Sequence, residues 1–170
     1  LKQTVSSPAF MNPGPAAQLK TFLDKLADWD ITRDGPYFGF PIPGETNQFF
    51  YVWLDAPIGY IASTEQWAKK SGKSALDFWD ENADAKIVHT IGKDIVYFHC
   101  LFWPAVLKVA KLKVPAHVHI HGHLTVNGEK MSKSRGTFIN ARPYLDLLDP
   151  NYLRFYYASL LGNGPGDIDL

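Results

Sequence analysis

The chain has 170 residues, 46% of them hydrophobic, which is enough for one domain with a well-formed core. Basic and acidic residues number 17 each, and the zero net charge argues against a domain that coats nucleic acid, which would usually be basic. The single cysteine, Cys100, excludes an internal disulfide and a cysteine-rich zinc site, and its apolar neighbours favour a buried residue over a nucleophile.

The first part of the chain predicts a proline-rich connection followed by a helix. Residues 1–18 carry three prolines among small residues, a composition typical of a linker, a junction or an ordered connection. From Leu19 to Trp29, apolar residues recur at helical spacing. Residues 35–44 contain three more prolines and predict an extended or hairpin-like connection.

Strands and helices then alternate along the chain. Strands are predicted over residues 49–54, 86–91 and 117–121, and helices over residues 64–70, 75–82 and 94–110. The helix after residue 94 should be interrupted or kinked near Pro104. Asn140 and Pro143 favour a short helix, and Asp149-Pro150 predicts the start of a last helix that reaches Leu161. This order predicts an α/β fold, with a parallel sheet and helical crossovers.

Polar clusters follow each of the three predicted strands. They are residues 55–59, the segment Gly92-Lys93-Asp94, and residues 122–134. In parallel sheets of this kind, ligands bind outside the carboxyl ends of the strands. The spacing therefore predicts one composite nucleotide site.

The last of these clusters contains the most distinctive segment of the chain. Residues 130–136 read Lys-Met-Ser-Lys-Ser-Arg-Gly and follow Asn127-Gly128, a dipeptide that favours a tight turn. A cationic loop rich in donors suits a polyphosphate, and the alternative is a solvated surface loop. The spacing of glycines does not fit a Walker A loop.

This segment and two others resemble one enzyme family. Lys130-Met131-Ser132-Lys133-Ser134 is similar to the second signature of class I aminoacyl-tRNA synthetases. Residues 51–60 read Tyr-Val-Trp-Leu-Asp-Ala-Pro-Ile-Gly-Tyr, and residues 91–104 read Ile-Gly-Lys-Asp-Ile-Val-Tyr-Phe-His-Cys-Leu-Phe-Trp-Pro. Both resemble the amino-acid pocket of the methionyl-tRNA synthetase family. Residues 29–34 and 166–170 fit the same family, so the resemblance runs from about residue 19 to residue 170.

The resemblance implies roles for two lysines and a set of ATP-binding residues. Lys133 would engage the pyrophosphate as charge builds on it in the transition state, and Lys130 would contribute as well unless it only faces solvent. Asp94 would bind ligand, cap its helix, or do both. The implied ATP-binding residues are Gly92, Asp94, His121, Gly122, Leu124, Met131, Ser132, Lys133 and Ser134.

A largely apolar methionine pocket is also implied. Its residues are Trp53, Ala56, Pro57, Tyr60, Ile95, Phe98, His99 and Trp103. Ile95, Phe98 and His99 lie at i, i+3 and i+4, so one helix face presents all three. An unbranched thioether suits aromatic surroundings, and either Tyr60 or His99 supplies a polar group near the sulfur. Without the resemblance, such an aromatic stripe would be interpreted as core.

Other polar residues carry weaker signals. His117, His119, His121 and His123 alternate and so share one strand face, but a row of this kind does not converge on a tetrahedral centre, and no metal site is predicted. Arg33 and Asp34 lie near the active site, as the resemblance suggests, or form a structural ion pair. Asp167 and Asp169 are interpreted as caps or surface charges.

The resemblance implies part of a larger enzyme. Residues 19–162 match the C-terminal half of a Rossmann-type catalytic domain, including the signature loop, and residues 163–170 would begin the connection to an anticodon-binding domain. The first signature of the class and the N-terminal half of the nucleotide fold are absent from this sequence. These missing parts would be partners of the chain in the intact enzyme, and the chain alone is expected to be inactive.

The implied reaction uses ATP with Mg²⁺ to activate L-methionine to methionyl-adenylate, followed by transfer to tRNA(Met). The alternative is a non-catalytic, synthetase-like module that binds nucleotide or RNA. No stretch is long and apolar enough to span a bilayer, and the N-terminus lacks the order of a signal peptide. The expected location is cytoplasmic, with an organelle as the alternative.

Overall fold

The computed structural model describes residues 2–5, 7, 9–132, 136, 138–162 and 166–170. The helices are α1 (Lys2–Val5), α2 (Pro13–Leu23), α3 (Val52–Asp55), α4 (Ile58–Lys70), α5 (Leu76–Trp79), α6 (Trp103–Val109), α7 (Ala141–Leu147) and α8 (Pro150–Leu160). The strands are β1 (Thr32–Asp34), β2 (Gln48–Phe50), β3 (Val88–Gly92), β4 (His117–His121), β5 (Leu124–Val126), β6 (Glu129–Lys130) and β7 (Ile168–Asp169).

A parallel pair of strands forms the centre of the fold. β3 and β4 pair in parallel from Val88↔His117 to Gly92↔His121. The helical segment that ends with α6 connects them. A parallel bridge between Met11 and Val118 extends this sheet on the other edge of β4. The predicted α/β fold with a parallel sheet and a helical crossover is confirmed, and β4 has the predicted bounds.

The main core lies between this sheet, α2 and the crossover helix. Alternate residues of β3 and β4 point into it, because side chains alternate across a strand. Its buried members are Phe10, Met11, Leu19, Leu23, Ile91, Cys100, Leu101, Val118 and Ile120. Burial raises the pKa of the Cys100 thiol to about 12. The expectation that Cys100 is a buried residue rather than a nucleophile is confirmed.

The N-terminal segment is an ordered connection that belongs to the core. Phe10 and Met11 are buried, and the backbone N–H of Val118 donates to the Phe10 carbonyl at 2.7 Å. α2 begins at Pro13, where the fixed φ of proline suits the first turn of a helix. The helix predicted over residues 19–29 therefore starts earlier and ends at Leu23, and Trp29 lies in an irregular segment.

The strand predicted over residues 49–54 is wrong in its second half. β2 ends at Phe50 and pairs antiparallel with β1, outside the parallel sheet. The Tyr51 N–H donates to the Ile31 carbonyl, and the Val52 N–H is bonded to the Tyr37 hydroxyl. The chain then turns into α3, because these tertiary contacts outweigh the β preference of the local sequence. Residues 55–59 consequently lie at the junction of α3 and α4, not at the end of a parallel strand.

The crossover helix is interrupted near Pro104, one of the two alternatives expected there. It begins with a 3₁₀ turn over Lys93–Ile95 and widens into a π-helical stretch over Phe98–Phe102. The Trp103 N–H donates to the carbonyl of Phe98, five residues back. Pro104 follows directly and has no N–H to continue the α-helical ladder, so the wider turn accommodates it.

The remaining elements follow the sequence patterns with shifted ends. α4 begins at Ile58 rather than at residue 64, and α5 ends at Trp79 rather than at residue 82. The Asp149 carboxylate accepts from the Asn151 N–H at 2.8 Å, which confirms it as the cap of α8. Among the described residues, no helix combines the length and apolar character needed to cross a membrane.

A small three-stranded sheet was not predicted. β5 pairs antiparallel with β6 and parallel with β7, in the order β6-β5-β7. The strands are only two or three residues long and carry too little periodicity to be recognised from sequence.

Candidate active site

The π-helical stretch presents an aromatic face to α3 and α4. Trp53 of α3 stacks on Phe98, with ring centroids 4.2 Å apart and planes 7° apart. The Trp53 ring also meets His99 edge-on at 6.1 Å. Aromatic pairs in these geometries stabilise one another beyond the burial of area. Trp53 reaches this face from a helix, not from the strand that the sequence predicted.

Tyr60 and His99 form the polar centre of this face. The Tyr60 hydroxyl lies 2.9 Å from Nε2 of His99, and Nδ1 of His99 lies 3.1 Å from the Ile95 carbonyl. A carbonyl only accepts, so Nδ1 carries the proton and Nε2 accepts from the Tyr60 hydroxyl. Burial lowers the pKa of His99, against the opposing effect of the Ile95 carbonyl, so the neutral ring with this tautomer is favoured.

A second buried histidine, His89, lies against both residues. Its ring is 4.8 Å from that of Tyr60 and 5.7 Å from that of His99. Burial, with a smaller repulsion from His99, lowers the pKa of His89 to about 4. His89 was not among the site residues predicted from the sequence. The available signal was its alternation with buried Ile91 on β3, which places a histidine on the core face of the strand.

Two buried polar atoms in this cluster lack hydrogen-bond partners within the described part of the chain. They are Nε2 of His89 and Nε1 of Trp103. Trp103 packs against Tyr60 at 6.5 Å and against Trp79 at 6.1 Å. Buried polar groups in proteins are normally paired, so unpaired ones beside an aromatic pocket are typical of a functional site.

Two further residues of the implied methionine set lie at the junction of α3 and α4. Pro57 is fully buried. Ala56 lines an apolar cleft of about 650 Å³, together with Phe50 and Leu54. The structure thus groups Trp53, Tyr60, Phe98, His99 and Trp103 through direct ring contacts, and Ile95 through its carbonyl. Their assignment to methionine remains a prediction.

The carboxyl ends of β3 and β4 bring together part of the implied ATP set. Gly92 and His121 are register partners at these ends. A Cβ added to Gly92 would lie 2.7 Å from Oδ1 of Asp94 and 3.9 Å from Cε1 of His121. The absent side chain therefore leaves room for the Asp94 carboxylate directly beyond the strand. No side-chain bond caps the 3₁₀ turn that Asp94 occupies.

Gly122 is required by a close backbone approach. A Cβ at this position would lie 2.1 Å from the Gly166 carbonyl oxygen and 2.7 Å from the Asp167 nitrogen. His121, Gly122 and Leu124 line a cavity of about 280 Å³ with Tyr157, Leu161 and Ile168. Three residues of the implied ATP set thus share one cavity next to the end of β4.

The signature segment leaves the β5–β6 hairpin. Lys130 is the last residue of β6 and is exposed, and Met131 and Ser132 follow it half-buried. Lys133 and Ser134, as well as Arg135, lie outside the described residues. The roles implied for them stay predictions.

Arg33 and Asp34 contact different partners on β1. The Arg33 guanidinium lies 3.8 Å above the centre of the Tyr51 ring. Asp34 accepts from the Gln48 side chain at 3.2 Å. The arginine therefore braces the aromatic segment that leads into α3. Within the described ranges, no three His, Cys, Asp or Glu side chains form a group that could hold a metal ion.

These features define an α/β domain with an aromatic cluster around Tyr60 and His99, an adjoining apolar cleft at Ala56, and a polar cluster at the carboxyl end of a parallel strand pair. Such folds bind nucleotides at that end of the sheet. Residues 2–170 match the family model described as tRNA synthetases class I (M). The chain belongs to this family.

Curated and solved relatives carry the same family name. A methionine–tRNA ligase of Myxococcus xanthus is 62% identical over 173 residues, covering 100% of this chain and 25% of the relative. A methionine–tRNA ligase of Leptospira interrogans is 57% identical over 162 residues, covering 92% of this chain and 22% of the relative. Mycobacterium tuberculosis methionyl-tRNA synthetase in complex with methionyl-adenylate superposes with a TM-score of 0.77 at 28% identity, covering 98% of this chain and 32% of that one. The chain spans about a quarter of the length of these curated relatives.

Proposed function

We propose that this chain supplies the methionine pocket and part of the ATP site of a methionine–tRNA ligase. The intact enzyme joins the methionine carboxylate to the α-phosphate of ATP, releases pyrophosphate, and transfers methionine from the adenylate to tRNA(Met). The observation that carries the proposal is the aromatic cluster around Tyr60 and His99, which begins within two helical turns of the Gly92–Asp94 strand end.

The pocket supports methionine in both shape and chemistry. Trp53 and Phe98 stack on each other, and the ring edges and outer faces of this pair would offer a polarizable surface to a flexible thioether. Neutral His99 and Tyr60 add one fixed hydrogen-bonded pair to a surface that is otherwise apolar. Methionine is favoured over a purely hydrocarbon side chain because its polarizable sulfur makes favourable contacts with aromatic rings.

ATP is proposed to lie across the ends of β3 and β4. Its adenosine would occupy the region of Gly92, Asp94, His121, Gly122 and Leu124, and its phosphates would face the segment that begins at Lys130. Mg²⁺ would arrive bound to those phosphates, since this ion is commonly held by substrate phosphates with few protein ligands. Lys133, with Lys130, would stabilise the charge that develops on pyrophosphate.

The test is methionine-dependent ATP–pyrophosphate exchange by the intact protein that contains this chain. We expect exchange with methionine and much less with norleucine or leucine, and none by the 170-residue chain alone. A second arm titrates the intact protein with a non-hydrolysable methionyl-adenylate mimic at low and high salt. Tight, salt-insensitive binding supports the proposal. Binding to RNA alone, with affinity that falls steeply with salt, would overturn it in favour of an RNA-binding module.

A further inference from the structure

Asp169 of β7 and Asp167, directly before this strand, carry carboxylates that hold two different loops. Oδ1 of Asp169 accepts from the Gly128 N–H and from the Thr125 hydroxyl, both at 2.7 Å. Oδ1 of Asp167 accepts from Lys93 Nζ at 2.6 Å and from the His123 N–H at 2.7 Å. Both residues are exposed, as the sequence suggested, but each carboxylate also accepts two hydrogen bonds from other segments.

β7, which presents the Asp169 side chain, is held by contacts on three sides. Ile168 is buried between the two aspartates, since neighbouring side chains of a strand point to opposite faces. The backbone pairs with β5 through the Ile168 N–H to the His123 carbonyl and the Leu170 N–H to the Thr125 carbonyl. The Tyr156 hydroxyl of α8 donates to the Asp169 carbonyl at 2.6 Å. The Asp169 carboxylate is thus placed by sheet, core and helix together.

Asp169 bonds to the tight turn that precedes the signature segment. Asn127 and Gly128 have φ of 53° and 77°, the left-handed values of a two-residue hairpin turn. This turn sets the register Thr125↔Lys130 and Val126↔Glu129. The Asp169 carboxylate bonds one residue of the turn and one residue of β5, so it fixes the hairpin relative to β7. Lys130 ends β6, and Met131 and Ser132 follow it directly out of the hairpin.

We propose that Asp169 is a positioning residue for amino-acid activation: by holding the Asn127–Gly128 turn, it sets the direction in which the Lys130–Ser132 segment meets the phosphates of ATP. This inference rests on the function proposed above. The hydrogen bonds from Gly128 and Thr125 lower the pKa of Asp169, so the carboxylate stays ionised at neutral pH. Charge-assisted bonds of this kind are the stronger ones, and a small misplacement of a transition-state contact is costly.

The experiment compares two steps of the reaction in the intact enzyme carrying Asp169→Ala or Asp169→Asn. Single-turnover formation of methionyl-adenylate should slow about tenfold or more, because it depends on contacts to the leaving pyrophosphate. The KM for methionine and the transfer of methionine from preformed adenylate to tRNA should stay close to wild type, since neither needs the pyrophosphate. The matched control is Asp146→Asn, an exposed carboxylate of α7, which should leave both steps unchanged.

The outcomes separate this inference from the proposed function. Wild-type enzyme that shows no methionine-dependent activation refutes the proposed function itself. Active wild-type enzyme with normal adenylate formation in both Asp169 variants refutes only the positioning role. A parallel loss of both steps together with a lowered melting temperature also refutes it, since that is the signature of general destabilisation. If Asp169→Ala does not fold, Thr125→Val removes one of the two donors and should give the same selective loss, smaller in size.

Discussion

The hydroxyl oxygen of Tyr60 lies 2.9 Å from Nε2 of His99, across 39 positions of sequence. Nδ1–H of His99 donates a hydrogen bond to the Ile95 carbonyl, so Nε2 carries no proton and accepts the hydrogen bond from the Tyr60 hydroxyl. The tyrosine oxygen then presents its lone pairs to the pocket. This chain of hydrogen bonds fixes the orientation of both rings within the aromatic cluster.

Replacement of Tyr60 by phenylalanine should weaken methionine binding. The change leaves Nε2 of buried His99 without a donor, a loss of about 1–3 kcal/mol, so the KM for methionine should rise about tenfold or more. The KM for ATP should change little. The measurement is methionine-dependent ATP–pyrophosphate exchange by the intact enzyme, with Tyr152→Phe, at a tyrosine that is 68% exposed, as the control. An unaltered methionine KM would contradict the assigned hydrogen bond.

Acidification should destabilise the pocket through His89. Its pKa is lowered from 6.5 to about 4 in the folded chain, so the unfolded chain binds the proton more readily between these values. The stability that neutral His89 contributes is fully present above about pH 6.5 and is lost as the pH falls towards 4. At about 1.4 kcal/mol per pKa unit, the upper limit is about 3 kcal/mol.

The variant His89→Phe tests this pH dependence. It removes the titrating ring while keeping an aromatic side chain of similar shape. Between pH 7.5 and pH 5, the melting temperature of the variant should fall less than that of the wild type, measured on the intact protein. Equal falls in both proteins would show that another group carries the acid sensitivity.

Gly122→Ala should be strongly destabilising. The added Cβ would lie 2.1 Å from the Gly166 carbonyl oxygen, so the backbone between β4 and β5, or that of the segment before β7, must move. Overpacking of this kind costs about 1–3 kcal/mol or more. Gly59→Ala in α4 is the control, since nothing lies within 4 Å of its added Cβ and alanine favours a helix. Chemical denaturation of the intact protein measures both. Comparable stability of the two variants would argue against the close approach at Gly122.

Lys133→Ala tests the lysine that, as the resemblance implies, engages the pyrophosphate in the transition state. In the intact enzyme it should slow adenylate formation by about 10² or more, the scale of losing one strong transition-state contact. Methionine binding should be unaffected. Lys108→Ala, at an exposed lysine of α6, should leave the rate unchanged. A normal activation rate in Lys133→Ala would remove the lysine from the mechanism.

The strands and the crossover of the central sheet could be predicted because their signals are local. β4 alternates histidine with buried valine and isoleucine, and this period defines both its bounds and its buried face. A proline in the interior of a helix disrupts the α-helical hydrogen bonds before it, and the π-helical stretch before Pro104 is such a disruption. Asp149-Pro150 likewise places a capping residue and a first-turn proline next to each other, which is enough to predict where α8 begins.

The error over residues 49–54 shows the limit of local signals. Tyr51, Val52 and Trp53 have side chains that favour strands, yet the chain enters α3 at Val52. Contacts from Ile31 and Tyr37, distant in sequence, bond the backbone there, and the helix brings Trp53 onto Phe98. The candidate pocket residues could be named from the resemblance, but not the route by which they meet.

Sequence alone determined the family resemblance, the parallel strand pair and the identity of the aromatic and cationic residues, because each depends on residue type and short-range spacing. Only the tertiary structure decided that His89 is buried against Tyr60 and His99, and that Asp169 holds the turn before Lys130. Both arrangements join residues far apart in the chain. Their energies arise from burial and directed hydrogen bonds, which exist only once the sheets and helices have packed.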